Sequence, residues 1–245
     1  MCAKRIRLGF VLLVAPHVAP AYRPFDSTDA AVASPKEIEI EFGPVAYTDS
    51  RHASITDAPV VTVNVGLVDG WEAVIDAART ITRSSFERDT ETVETALMLK
   101  RVLRDGVLQE QAGWSIATEF GVLFPTSHSD DDYGASWALI GSQAVGRTVV
   151  HVNAALAQNR DGNTELFTGL IVEAMTSEPV RPVVELTFEY ERGTETRSAG
   201  ALVGAIWERS DNLSFDIAAR AVREDHEWSY EGRIGVTWAF AMARK

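Results

Sequence analysis

Carboxylates occupy every second position of KEIEIEF, where Glu37, Glu39 and Glu41 alternate with Ile38, Ile40 and Phe42. Successive side chains of an extended chain point to opposite faces, so the stretch reads as a strand with one acidic and one apolar face. A row of fixed negative charge beside confined water attracts cations and repels anions. Other chemistries have weaker support. His128 lies among Ser127, Ser129, Asp130, Asp131 and Asp132, a composition that suits a hydrolase or metal site but equally an exposed turn. That loop lacks the glycine and spaced ligands of a calcium loop. His52 and His226 read as solvated loop residues, and no phosphate-cradling motif is present. No catalytic residue, metal site or cofactor is therefore expected.

The acidic row needs elements to hold it. Hydrophobic residues make up 46% of the 245-residue chain, enough for a large apolar face, while the mean hydropathy is only -0.04. A transmembrane barrel has such an average, because only half of each strand faces lipid. Lys4, Arg5 and Arg7 precede the apolar run LGFVLLVAPHVA, and Ala19 and Ala21 follow as a small-residue cleavage pattern. Residues 1–21 thus read as a secretory signal peptide, the run being too short to span a bilayer; the alternative is a buried N-terminal strand. Cys2, the only cysteine, falls within this segment, which leaves the mature chain no disulfide or thiol nucleophile. Cleavage takes the net charge from -12 to -12 - 3 = -15, so nucleic acid is not an expected partner.

After an irregular periplasmic or lumenal lead-in at 22–35, alternating segments recur with polar or glycine-containing turns between them. They fall near 36–47, 58–68, 71–83, 90–103, 111–124, 133–144, 147–158, 164–175, 181–192, 197–208, 212–223 and 227–240. The result is an all-β, antiparallel, up-and-down transmembrane barrel of about twelve strands over 36–240, with a C-terminal extension at 241–245. WEAVIDAARTI and ETVETALMLKRVL also suit amphipathic helices, but sit in register with strands. In WSYEGRIGVTWAF, Trp228, Tyr230, Trp238 and Phe240 mark both ends of one apolar face, as interfacial aromatic girdles do. With the N-terminus in the periplasm, links such as VDG and AVGR are short and links such as TDSRHASITDA and PTSHSDDDY longer, matching periplasmic turns and outer loops.

If the apolar face meets lipid, the polar face lines the lumen. The candidates are Glu37, Glu39, Glu41, Glu72, Asp76, Glu94, Lys100, Glu119, His151, Glu165, Glu173, Glu185, Glu189, Asp216, Arg220, Glu231 and Arg233. Carboxylates dominate, so the expected interior is mildly cation-favouring. Arg220, Arg233 and Lys100 could instead neutralise neighbouring carboxylates and fill the barrel.

FDSTDAAVASPKEIEIEFG resembles the opening of the outer-membrane barrels of the phenol-degradation MetA-pathway transporter family, through Thr28, Asp29, Ala30, Val32, Pro35, Glu39 and Glu41. Further similar phrases are FPT at Phe124–Thr126, DYGASWAL at Asp132–Leu139 and the final GVTWAF. The resemblance implies a barrel in the outer membrane of a Gram-negative cell and passage of small molecules. It carries no established catalytic residues. The expectation is therefore a porin-like passive channel or transporter for small solutes, in contact with outer-membrane lipids, lipopolysaccharide and the barrel-assembly machinery. The alternatives are a filled structural barrel, a lipid-processing outer-membrane enzyme or a soluble lipocalin-like binder.

Overall fold

The computed structural model describes residues 22–51, 53–84, 88–126, 132–175 and 178–242, without the side chains of residues 84 and 88–94. The expected signal segment, His52, the loop around His128, the side chain of Glu94 and the last three residues lie outside that description.

Twelve strands follow one another: β1 (Glu37–Ser50), β2 (Ala53–Val68), β3 (Trp71–Ser84), β4 (Arg88–Arg104), β5 (Ser115–Leu123), β6 (Gly134–Val145), β7 (Thr148–Gln158), β8 (Thr164–Ala174), β9 (Val180–Glu191), β10 (Arg197–Ser210), β11 (Leu213–Glu224) and β12 (Glu227–Ala241). Each pairs antiparallel with its sequence neighbours, and β1 pairs with β12 to close the barrel. Closure removes both sheet edges, so each stave pairs its backbone with a neighbour on both sides. The two segments that also suited helices are β3 and β4.

Period-two alternation fixes what faces out. Trp137, Val152, Leu156, Leu186, Val203, Phe215 and Ile217 are among many large apolar side chains exposed on the outer wall. So large an exposed apolar surface fits lipid and not water. Trp71, Trp114, Trp207 and Trp238 lie toward the end where β1 begins, here the near end; Tyr47, Tyr133, Tyr190, Trp228 and Tyr230 lie toward the far end. These are two aromatic girdles. Arg101 sits 4.9 Å above the Trp71 ring, adding a cation to the near girdle. Among the described residues no helix is long and apolar enough to cross a membrane.

Two expectations need correction. The contrast in loop length is absent, because β1 to β4 run on into the segments read as outer loops: β1 ends at Ser50 and β2 begins at Ala53. The near end, in turn, holds a ten-residue link between β4 and β5, with a 3-10 turn at Val107–Gln109. Pro44 and Pro59 are accommodated at register shifts in β1 and β2, where a missing backbone donor breaks no ladder. The interior is also less polar than the alternation suggests, since Met98, Ile140, Phe167, Ile171, Val183, Leu202 and Ile206 are buried inside. The reason lies in what fills the lumen.

Candidate functional site in the barrel lumen

Residues 22–35 run inside the barrel. Ser34 lies at the near end, where its amide donates to Glu37 Oε2 at 2.9 Å. Asp26 reaches mid-barrel beside Arg220 and Arg233. Tyr22 returns toward the near end, where Arg181 Nη2 donates to its hydroxyl at 3.2 Å. The segment is thus a loop inserted from the near end with its apex around Asp26–Thr28. Inward glycines make room for it: a Cβ at Gly66 would come within 2.7 Å of the Ala33 carbonyl oxygen, and one at Gly169 would strike the Ser27 hydroxyl.

Wall side chains take up the loop's orphan backbone groups, as they must where an irregular chain is buried. Glu185 accepts from the Asp26 amide at 2.8 Å, the Ser27 amide at 2.8 Å and the Ser27 hydroxyl at 2.6 Å. Asn153 accepts from the Thr28 amide and donates to the Thr28 carbonyl at 2.7 Å. Ser142 Oγ accepts from the Ala30 amide at 3.0 Å. Phe25, fully buried, packs on Ile171, Val183, Leu202, Ile206 and Ala218, with the Tyr22 ring stacked on it at 5.5 Å. This contact explains the apolar residues turned inward from β8, β9 and β10.

On the β8–β12 side, arginines meet the carboxylates. Arg220 Nε is 2.6 Å from Asp26 Oδ2, and Arg233 donates to Asp26 Oδ1 at 3.0 Å and to Glu231 Oε1 at 2.5 Å. Arg23 of the loop reaches Asp216 at 3.1 Å and the Ile234 carbonyl at 2.7 Å. Arg181 pairs with Glu173 at 3.0 Å and Glu208 at 3.1 Å.

Across the lumen, a cavity of about 230 Å³ separates the loop from β1 to β5. Seven carboxylates and one ammonium, that of Lys100, line it. Lys100 Nζ is 3.1 Å from Thr28 Oγ1 and 3.6 Å from Asp29 Oδ1. The carboxylates of Glu39 and Glu41 share the neutral amide of Asn64, at 3.2 and 2.8 Å. Glu72 accepts from the Ala33 amide at 2.5 Å.

Of the sequence candidates, Glu41, Glu72, Asp76, Lys100, Glu119, His151, Glu165, Glu173, Glu185 and Asp216 are buried inside. Glu37, Glu39, Glu189, Arg220, Glu231 and Arg233 are half-buried there. They divide into groups: Glu39, Glu41, Glu72, Lys100 and Glu119 at the cavity, Arg220, Glu231 and Arg233 around Asp26, and Glu165 with Glu189 toward the far end. Asp76 sits under Thr62, whose hydroxyl donates to it at 2.6 Å. His226 is exposed in the β11–β12 turn. Sequence reasoning missed Arg23, Asp26, Ser27, Thr28 and Asp29 of the loop, and Asn64, Asn153, Ser142 and Arg181 of the wall. The polar run FDSTDA was the available signal.

Ser142, His151 and Glu173 form a chain that resembles a catalytic triad: Ser142 Oγ is 2.8 Å from His151 Nδ1, and His151 Nε2 is 3.0 Å from Glu173 Oε1. Ser142 is fully buried, occupied by the Ala30 amide and not part of the cavity wall. A nucleophile needs room for a substrate carbonyl, so this chain reads as a structural anchor for the loop.

No family model matches the chain, and no curated protein does. Solved structures with the same fold include the COG4313 outer membrane channel from Pseudomonas putida F1, with a TM-score of 0.69 at 9% identity over 88% of this chain and 100% of that one. The NanC porin follows with a TM-score of 0.58 at 11% identity, covering 82% of this chain and 98% of that one. The KdgM porin in complex with disordered oligogalacturonate has a TM-score of 0.51 at 10% identity, covering 82% and 99%. The fold is that of the outer-membrane β-barrel channels and porins.

Proposed function

We propose that this chain is an outer-membrane barrel that passes small solutes passively and favours cations. The observation that carries the reading is the cavity on the β1–β5 side, where seven carboxylates and one ammonium surround a space between the loop and the wall. Negative charge fixed around a narrow wet space lowers the energy of a cation there and raises that of an anion. The lipid-facing apolar belt and its aromatic girdles support the outer membrane as the location, with its lipids, lipopolysaccharide and assembly machinery as surroundings. The likeness to channels and porins, and the resemblance to the phenol-degradation MetA-pathway transporters, support small solutes as cargo. The 22–35 loop narrows the passage at mid-barrel, where it contacts Asn153, Glu185, Arg220 and Arg233.

Planar bilayers test the reading. The folded chain is expected to conduct, with a reversal potential in a potassium chloride gradient that reports cation preference. Anion preference would overturn the charge assignment. A second reading, a filled structural barrel, is favoured by the ion pairs and hydrogen bonds that anchor the loop. It predicts silence at all voltages, and also after Asp26→Ala releases the loop from Arg220 and Arg233. Conductance that rises in that variant supports the channel.

A further inference from the structure

The charges around the cavity are unequally served. Lys100, the one cation of the wall, is drawn to the loop side by Thr28 and Asp29. Glu39 and Glu72 receive hydrogen bonds from neutral amides only, those of Asn64 and Ala33. Glu119 is 1% exposed, lines the cavity, and its Oε1 accepts no hydrogen bond from the protein. A buried carboxylate oxygen without a donor is costly, and a bound cation with N–H donors relieves it.

The geometry selects the kind of cation. Among the described residues no three acidic, histidine or cysteine side chains converge closely enough to hold a metal ion. The carboxylates are instead spread around a space of about 230 Å³, with Val74 and Val32 contributing apolar surface between them. That volume equals roughly seven or eight waters. Charges at separated points with an apolar stretch between them match a molecule with two ammonium ends and a short methylene spacer.

We propose that the cavity binds a short linear diamine, one ammonium on the Glu119 and Glu72 side and the other on the Glu39 and Glu41 side, with the methylenes along Val74. That such diamines are also carried through the barrel rests on the channel reading above.

Calorimetric titration of putrescine into the detergent-folded chain tests the site without requiring conduction. Saturable heat is expected, absent with the neutral butanediol of equal length and not displaced by equimolar magnesium. Glu72→Gln and Glu39→Gln, each confirmed as folded by heat-modifiable migration, are expected to weaken binding about tenfold, the loss of one charge-assisted contact. No saturable heat with the unaltered chain overturns the proposal, as does equal binding of butanediol or unchanged affinity in both variants. Should either variant fail to fold, the diol and magnesium comparisons on the unaltered chain still decide. A cation-selective pore without diamine binding removes the site and leaves the channel; diamine binding in a silent barrel removes the channel and leaves the site.

Discussion

The two sides of this lumen carry the same kind of inward carboxylate and treat it in opposite ways. On the β11–β12 side, Asp216, Glu231 and the loop's Asp26 meet Arg23, Arg220 and Arg233 within hydrogen-bonding distance. On the β1–β4 side, Glu39 and Glu72 have Lys100 as their nearby cation and accept hydrogen bonds only from neutral amides, while Glu41 accepts from the Asn64 side chain and the Arg23 backbone amide. The difference is one of strand parity. β3 and β4 contain Arg79, Arg83 and Arg101, yet all three are exposed on the outside, while Lys100, one position from Arg101, points in. A shift of one residue moves a side chain to the other face of a strand, so nearby arginines contribute nothing to the lumen. One side is thereby an anchor for the loop, and the other keeps an excess of carboxylates.

Removing the anchor should show the largest effect. Asp26→Ala leaves Arg220 and Arg233 with the Glu231 carboxylate and the Pro24 carbonyl, and breaking a buried ion cluster in this way costs about 3–5 kcal/mol. The urea midpoint of the folded barrel in detergent should fall accordingly, and trypsin should gain access to Arg23; an unchanged midpoint would mean that the arginine side does not hold the loop. Glu185→Ala acts on the same side through neutral bonds. It strands the Asp26 and Ser27 donors, at about 1–3 kcal/mol for an unsatisfied group. Faster amide exchange at Ser27, with the strands still protected, is the expected signature.

Crowding the loop tests its seat. Gly66→Ala pushes a methyl group into the backbone of Ala33 and Ser34, an overpacking cost of about 1–3 kcal/mol. The strand register should survive, and conductance should rise if the loop is what restricts it. The acidic side should answer differently. Glu39→Gln keeps an acceptor for the Asn64 amide, so stability should change by less than about 1 kcal/mol while the reversal potential moves toward anions. A large loss of stability there, with selectivity unchanged, would erase the contrast between the two sides.

The staves were legible because lipid and lumen impose a period of two that no helix shares, and twelve segments carry it. Boundaries shifted where β1 to β4 continue into polar residues: pairing with a neighbour extends a strand regardless of whether its tip is apolar, as at Thr48, Asp49 and Ser50. The inward apolar residues were not legible. Ile171 and Leu202 obey the alternation but face Phe25, a partner that no local pattern announces.

By itself the sequence determined the all-β class, the number of staves, and which carboxylates turn away from lipid, because each follows from alternation along a few neighbouring residues. Only the tertiary structure decided that residues 22–35 fold back into the lumen. Only it decided, too, which carboxylates are neutralised there. Those outcomes depend on contacts such as Ser27 with Glu185 and Asp26 with Arg233, which join residues 158 and 207 positions apart. Closing a barrel brings such residues face to face, and nothing in the intervening chain records the meeting.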